Sequence, residues 1–444
     1  MGKRAGQPGL VVAAISFALG LLWAVTIHPL HAPDEPAHFQ AVLEVRNAHR
    51  LPEIHYEFSS RRQGAAIGSP GDATARQWAR ERGYGAPLNL LPYEAMQPPL
   101  YYLVAGLPAT LLPLDTTGVF YWSRLVAVAF GAATVYCCWA ATRQLAPRAP
   151  AWAVGSAALV ALLPQFCFNS ATVSNDSTAN WAGALAFYVW LRGLRDPAYD
   201  PRLLRAGACL GLGILAKLTA VALLPGLALL VLFHAGRMGG IRGSGAWLRR
   251  AGALALGAGA GTLAVCGWWL VRNGLVYGEI SGSANTLRFY QARWQPLGTA
   301  LPPQFGQWTW ETLWGRFDWT TVLLPADWYR QAAYLTAVAC ALSALAVLVQ
   351  LRRRGHFARI EGQAALLLGI VTVTLAAGYV QFNLTIATQL QARYLFLLLL
   401  PGSLLFTGGL YALPARPALK RLALAAPLVW LATMNAVGLA LVAH

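Results

Sequence analysis

The sequence predicts an all-α polytopic membrane protein, a bundle of about eleven transmembrane helices with interfacial helices in its first outer loop. Three observations carry that expectation. Of the 444 residues, 57% are hydrophobic and only 11% are charged, against about a quarter charged in soluble domains. Uncharged apolar stretches of about 18 residues or more, enough to cross ~30 Å of hydrocarbon as a helix, recur along the whole chain. Basic residues collect in the short loops between alternate stretches, as the positive-inside rule requires.

Taken in order, Lys3 and Arg4 precede an uncharged run from Leu10 to Ile27. That run exceeds the roughly 7–15 residue core of a cleaved signal peptide, so it reads as a first span with a cytoplasmic amino terminus. Residues 28–114 form a first long extracytoplasmic segment. Its proline-interrupted run from Pro98 to Leu114 is expected to lie in the interface, because a crossing there would export most of the later basic residues. Apolar runs follow at Leu125 to Thr142 and Pro150 to Phe168, with a fourth span after the polar stretch Asn169 to Ser177. Leu203 to Phe233 is broken by Lys217 and flanked by arginines at both ends, which fits two short helices with Lys217 near their outer turn. After Ala251 to Val271 comes a second long extracytoplasmic segment, residues 273–330. Four runs close the chain: Gln331 to Leu351, Gly362 to Ala392, Tyr394 to Leu413 and Leu422 to Ala443.

With these assignments the cytoplasmic loops hold 19 Lys and Arg against the acids Asp196, Asp200 and Glu361. Almost every carboxylate therefore falls outside. Neither outer segment has the apolar content for its own core, and no repeat is visible, so residues 1–444 read as a single membrane domain. The net charge of +17 is scattered rather than gathered into a basic domain, which argues for orientation and against nucleic acid as a partner. All six cysteines lie in apolar segments or at their ends, against disulfides or a zinc ribbon. Neither a Walker loop nor GxGxxG occurs in the strand-turn-helix setting either requires.

The first candidate site follows the first span, in Pro33-Asp34-Glu35-Pro36-Ala37-His38-Phe39. An acid directly before proline is also a common helix start, and an acidic cap explains the segment equally well. Adjacent helical residues diverge by about 100°, so Asp34 and Glu35 cannot both face one reacting atom. Asp34 and His38, four apart, share a face, which favours Asp34 as the base and leaves Glu35 to cap or orient. His28, His31, His49 and His55 show no metal-ligand spacing. Asp176 either caps the fourth span or joins Asp34 on the same side. Lys217 within an apolar stretch costs roughly 2.5–3.5 kcal/mol on insertion scales; it either snorkels or has an anionic partner. Arg272, after Trp268-Trp269, and Arg393, before Tyr394, are cations at expected outer helix ends, and with Lys217 they suggest phosphate capture beside a base. Trp308, Trp310, Trp314, Trp319 and Trp328 crowd the second outer segment as an aromatic belt or, less simply, as platforms for a sugar or an isoprenoid.

Together these segments resemble the GT-C superfamily of polyprenyl-phosphate-sugar-dependent membrane glycosyltransferases, and within it a bacterial membrane family without assigned function. The pieces that carry the resemblance are PDEPAHF (Pro33 to Phe39), QPPLYY (Gln97 to Tyr102), SND (Ser174 to Asp176), AKLTA (Ala216 to Ala220), WWLVRNGLVYGE (Trp268 to Glu279), WGRFDW (Trp314 to Trp319) and QARY (Gln391 to Tyr394). The resemblance implies a GT-C-like bundle, a catalytic base at Asp34 or Glu35, and support from His38, Gln97 and Asp176. Lys217, Arg272, Arg393 and Tyr394 would bind the donor phosphate. A divalent cation, Mg or Mn, would be held by Asp34, Glu35 and Asp176 if one is used; the chain has Asp-Glu-Pro where the superfamily has a DxD pair.

The expected function is inverting transfer of a hexosyl or pentosyl group, on the extracytoplasmic face of a bacterial plasma membrane. The donor would be a polyprenyl-phosphate sugar and the acceptor an envelope glycan or glycolipid. A transporter or flippase of a lipid-linked glycan is the alternative, and predicts charges deep in mid-span and repeat-related broken helices.

Overall fold

A computed structural model describes residues 7–53, 55–59, 62–67, 70–83, 93–196, 201–236, 244–282, 284, 300–352, 360–386, 388–412 and 416–444. Lys3, Arg4, Asp200 and the His55 side chain lie outside the described residues.

The helices in chain order are α1 (Gln7–Thr26), α2 (Glu35–Ala48), α3 (Pro70–Glu81), α4 (Leu100–Ala109), α5 (Thr116–Leu145), α6 (Pro150–Ala161), α7 (Pro164–Ser170), α8 (Asp176–Arg195), α9 (Leu204–Ala216), α10 (Leu224–Gly236), α11 (Ser244–Tyr277), α12 (Phe305–Trp314), α13 (Ala326–Leu351), α14 (Ile360–Thr385), α15 (Leu399–Ala412) and α16 (Pro417–Val442). Short 3₁₀ turns at Tyr93–Met96, Leu218–Leu223 and Ala392–Leu398 join them. Two antiparallel hairpins complete the described residues: β1 (His55–Ser59) with β2 (Arg62–Ile67), and β3 (Arg316–Phe317) with β4 (Val322–Leu323).

Among the described residues eight helical segments are long and apolar enough to cross a bilayer, or nine if α6 and α7, bent by 63° at Leu162 and Leu163, count as one broken span. The bend falls just before Pro164, which cannot supply the amide proton that a continuous helix needs there. α8, with Asp176, Arg192 and Arg195 in its 20 residues, and the 13-residue α9 do not meet the same measure, so length and apolarity alone do not reach the expected eleven. α4 has 10 residues, a rise of about 15 Å, half of what a crossing needs.

The bundle packs around α5 and α8, with α1 laid along α5. α9 and α11 cross so closely that a side chain at Gly207 or Gly261 would strike the carbonyl of Ala258 or Leu204, the small-residue contact typical of helices without a hydrophobic drive between them. Trp23 Nε1 donates to Asn435 Oδ1 at 3.0 Å, tying α1 to α16. As the apolar break at Lys217 suggested, α9 ends there: Lys217 is extended (φ −162°, ψ 137°) before the following 3₁₀ turn.

At one end of the bundle the chain turns sharply between α1 and α2, with Leu30 (φ 68°) and Asp34 (φ 64°) both left-handed. A buried ion pair fixes this corner. Arg124, two turns into α5, sends Nε and Nη2 to the two oxygens of Glu35 at 2.9 and 2.8 Å. Its remaining protons go to the carbonyls of Ala24 and Ile27, both at 2.7 Å, and of His28 at 3.1 Å. These include the last carbonyls of α1, which have no partner within the helix. Glu35 also accepts from the amides of Leu30 at 3.0 Å and Val173 at 2.9 Å. One ion pair thus holds the end of α1, the start of α2, the first third of α5 and the loop before α8.

Both groups are fully buried, so removing one strands the other. We expect Arg124→Met to destabilise the protein by about 3–5 kcal/mol, read as a lower melting midpoint in detergent, while the paired exchange Arg124→Met with Glu35→Met recovers a substantial part. A melting midpoint unchanged in the single variant would contradict this role.

Candidate active site

The corner that buries Glu35 turns Asp34 the other way. Asp34 stands at the amino-terminal cap position of α2 yet makes no side-chain cap bond to it. Its Oδ2 instead accepts from Arg393 Nη2, and Arg393 Nη1 donates to the Pro33 carbonyl at 3.3 Å. The helix-cap explanation of this acid does not describe its side chain.

Arg393 belongs to the 3₁₀ turn Ala392–Leu398. Its Nη1 also lies 3.5 Å from Asp176 Oδ2. Asp176 begins α8, where the helix dipole favours an anion, and its Oδ1 accepts from Lys217 Nζ. The break that ends α9 at Lys217 is what lets the ammonium reach this point. Tyr394 lies against both cations, its ring centre 5.1 Å from Lys217 Nζ and 5.2 Å from Arg393 Cζ. Two carboxylates and two cations from four separate parts of the chain thus alternate in one row, Asp34, Arg393, Asp176, Lys217, all buried except Asp34, which is part-exposed.

Such a network is poorly explained by stability. Moving charges out of water is expensive even when they pair, and apolar replacements often serve as well. Buried charges of both signs at the end of a bundle mark a functional site more readily than a structural one. Arg393 Nε and Asn175 Oδ1 have no hydrogen-bond partner among the described residues, so donor and acceptor capacity remains at the row.

A second layer stands behind it. Asn175 Nδ2 donates to Gln97 Oε1 at 3.3 Å, placing the QPPLYY segment beside the Asp176 loop. His38 Nδ1 shares a hydrogen bond of 2.8 Å with Tyr102 Oη and lies 3.9 Å from Glu94 Oε2. Burial holds the His38 imidazole down to about 3, so it is neutral, although the Asp34 charge pulls the other way. Burial, and after it the Asp34 charge, pushes the Glu94 carboxyl up to about 8. Glu94 Oε2 has no hydrogen-bond partner among the described residues.

Of the residues expected at the site, Asp34, Asp176, Lys217, Arg393 and Tyr394 come together, with His38 and Gln97 next to them. Two do not. Glu35, one of the two candidates for the base, has its oxygens occupied by four donors and faces Arg124. Arg272 lies near the end of α11 and donates to Asn273 Oδ1, the Pro52 carbonyl and Glu53 Oε1; among the described residues it bonds no member of the row. The metal considered above finds no ready donor set: Glu35 is occupied, Asp34 and Asp176 are each bound to cations, and no group of three metal-capable side chains occurs among the described residues. Arg124 and Glu94 lie outside the segments singled out in the sequence, and Tyr102 and Asn175 lie within QPPLYY and SND without a role expected of them. The signals present were a charge just ahead of an apolar run for Arg124, and an acid three residues before QPPLYY for Glu94.

The folded state binds the Glu94 proton more tightly than the unfolded chain does. Its stabilising contribution is therefore complete below the ordinary carboxylate range and lost as pH rises through about 8. His38 has the opposite sense: its contribution is present above the ordinary imidazole value and lost as pH falls towards about 3. Glu94→Gln should accordingly gain over the wild type in melting midpoint as pH is raised from about 5 to 9. A difference that does not change with pH would contradict the buried, protonated Glu94.

A family model described as "Predicted membrane protein (DUF2142)" matches residues 17–401. No curated protein matches the sequence significantly. Among solved structures the chain is similar to ArnT from Cupriavidus metallidurans, crystallised with undecaprenyl phosphate, at 18% identity and a TM-score of 0.53, covering 93% of this chain and 61% of that one. It is also similar to the Archaeoglobus fulgidus oligosaccharyltransferase. The complex of that protein with zinc and sulfate gives 13% identity and a TM-score of 0.53, over 98% of this chain and 53% of that one. Its apo form gives 14% and 0.54, over 100% and 56%. The chain spans little more than half the length of these proteins, and at such identities the likeness is one of fold: a GT-C polytopic membrane bundle.

Proposed function

The chain belongs to the family of predicted membrane proteins DUF2142 and has a GT-C fold, and on that premise we propose that it is a membrane glycosyltransferase using a polyprenyl-phosphate-linked sugar. The observation that carries the reading is the row Asp34, Arg393, Asp176, Lys217, which sets an accessible carboxylate beside two buried cations. The undecaprenyl phosphate in the ArnT structure is consistent with a lipid-phosphate donor here. The excess of basic residues in the opposite loops supports placing the site on the extracytoplasmic face of a bacterial plasma membrane.

In the proposed reaction the donor phosphate lies against Lys217 and Arg393, with Arg393 Nε as a further donor and Tyr394 alongside. An acceptor hydroxyl oxygen attacks the anomeric carbon. The bond from that carbon to the phosphate oxygen breaks, and its electron pair stays on the lipid phosphate. The hydroxyl proton passes to Asp34, and a single displacement of this kind inverts the anomeric centre. Negative charge grows on the phosphate as the bond breaks, where fixed cations in a site with little water are most effective. Asp34 and the phosphate compete for the same guanidinium. Donor binding therefore draws Arg393 away from Asp34, and a carboxylate freed of its cation is the stronger base. Asp176 keeps Lys217 and Arg393 in place, and neutral His38 with Gln97 borders the acceptor side. The acceptor proposed is an envelope glycan or glycolipid.

Purified protein in lipid, given a labelled polyprenyl-phosphate sugar and an envelope-glycan extract, tests this reading. Asp34→Asn should lower transfer by about 10²–10⁴-fold, the worth of a placed base, and Lys217→Ala should slow it comparably. Full transfer by Asp34→Asn would rule out its role as base. Movement of the labelled lipid between leaflets without transfer would favour a flippase instead.

A further inference from the structure

A cavity of about 360 Å³ opens beside the charged row without being part of it. Its wall is formed by Gln304 and Trp308 at the start of α12, Thr320 from the β3–β4 turn, and Thr388, Gln389 and Gln391 from the segment leading to Arg393, with Pro302 and Leu390 as its apolar members. The chemistry of this wall is specific. It offers three carboxamides, two hydroxyls and an indole, and no acid, lysine, arginine or histidine. Without a cation among its lining residues it has no means of holding a phosphate. An uncharged ligand with many hydroxyls and one apolar ring face suits it, since amides and hydroxyls both donate and accept while an indole offers a flat apolar surface.

Trp308 is set up as such a surface. Arg316 Cζ lies 3.8 Å from its ring centre, so one face of the indole is already covered and the ring is fixed. Arg316 is itself held, by Glu311 Oε2 at 2.6 Å and the Thr320 carbonyl at 2.7 Å. The volume falls near the lower end of the range for small-ligand sites, about 300–1,000 Å³, which suits one or two sugar rings rather than a long glycan.

The cavity also has a defined relation to the charged row. Tyr394 Oη donates to Gln389 Oε1 at 3.2 Å, and the Tyr394 ring lies against Lys217 and Arg393. One side chain therefore separates a wall residue of the cavity from both cations. The geometry points to a binding subsite in which an uncharged sugar ring of the acceptor stacks on Trp308 and is read by the glutamines and threonines around it. That the sugar is the acceptor's rests on the proposed transferase reading; that the cavity takes a neutral sugar does not. The wall comes from the start of α12 and from segments between helices and holds no cation, whereas a lipid-linked donor would bring its phosphate to the cations.

Saturation-transfer NMR on the whole protein in lipid nanodiscs tests the subsite without any donor. The probes are free glucose, galactose, mannose and arabinose with their methyl glycosides, compared with glucuronate, glucosamine and glycerol. At least one neutral sugar should receive saturation, strongest at the ring protons of one face, and the charged sugars and glycerol should receive less. Trp308→Ala should weaken binding by about tenfold, the scale of one aromatic contact with its buried area. Trp308→Phe should retain much of it, and Gln304→Ala, on an exposed position, should weaken it with the melting midpoint unchanged. Absence of saturation of every neutral sugar, equal signals in wild type and the folded Trp308→Ala and Gln304→Ala variants, or a preference for charged sugars would overturn the subsite. In a transfer assay Gln304→Ala should raise KM for the acceptor and leave that for the donor unchanged; a shift in the donor KM alone would overturn the acceptor assignment. Sugar binding that depends on Trp308 in a protein without transfer activity would uphold the cavity and count against the transferase reading.

Discussion

The buried pair between Glu35 and Arg124 is the constraint on which the site end of the molecule depends. Arg124 reaches the corner from within α5 and uses its whole guanidinium there, on a carboxylate and on three carbonyls at the end of α1. An ion pair shut away from water is weak evidence for stability, but one that also satisfies terminal backbone groups fixes a geometry. With Glu35 held inward, the residue before it must turn outward, and Asp34 does so with a left-handed backbone. For a residue other than glycine that conformation costs about 1–2 kcal/mol. The corner sustains the strain because four separate segments converge on the one carboxylate.

The second consequence concerns Arg393. A guanidinium that bridges Asp34 and Asp176 holds two carboxylates close without leaving them unpaired, and Lys217 balances the second acid. In a site with little water each of these attractions is stronger than at a surface, and so is each penalty for a missing partner. In the proposed reaction an arriving phosphate would meet cations already positioned and displace a carboxylate rather than solvent, so that donor binding and liberation of the base would be one event. The GT-C fold serves this by bringing to one end of the bundle four loops that are distant in sequence, and the neutral cavity beyond Tyr394 continues the same surface with a different chemistry.

Much of this was legible in the sequence, and the limits were physical. Apolar run length gave the helices, and the lone lysine in an apolar stretch gave the break at Lys217, because a buried cation needs a partner and a place where the chain can bend. The 100° step along a helix was reason to expect Asp34 and Glu35 to face different ways; they do, towards Arg393 and Arg124, although the cause is the left-handed backbone of Asp34 ahead of α2. What charge and spacing could not give was which neighbour a residue meets. Arg272 and Arg393 looked alike as cations at helix ends, yet one pairs with Glu53 and the other with Asp34, 359 positions away. Arg124 lies 89 positions from Glu35 and read only as a charge before a span. Glu94 was passed over because a single acid in a loop has no pattern; its burial beside His38 comes from packing alone.

On the proposed reading Lys217 and Arg393 receive a lipid-linked phosphate in exchange for Asp34. A cryo-electron microscopy structure of the protein in nanodiscs containing undecaprenyl phosphate tests it directly. Phosphate density is expected in contact with Lys217 Nζ and the Arg393 guanidinium, with Asp34 released from Arg393. A phosphate bound elsewhere, with the pair between Asp34 and Arg393 intact, would contradict it.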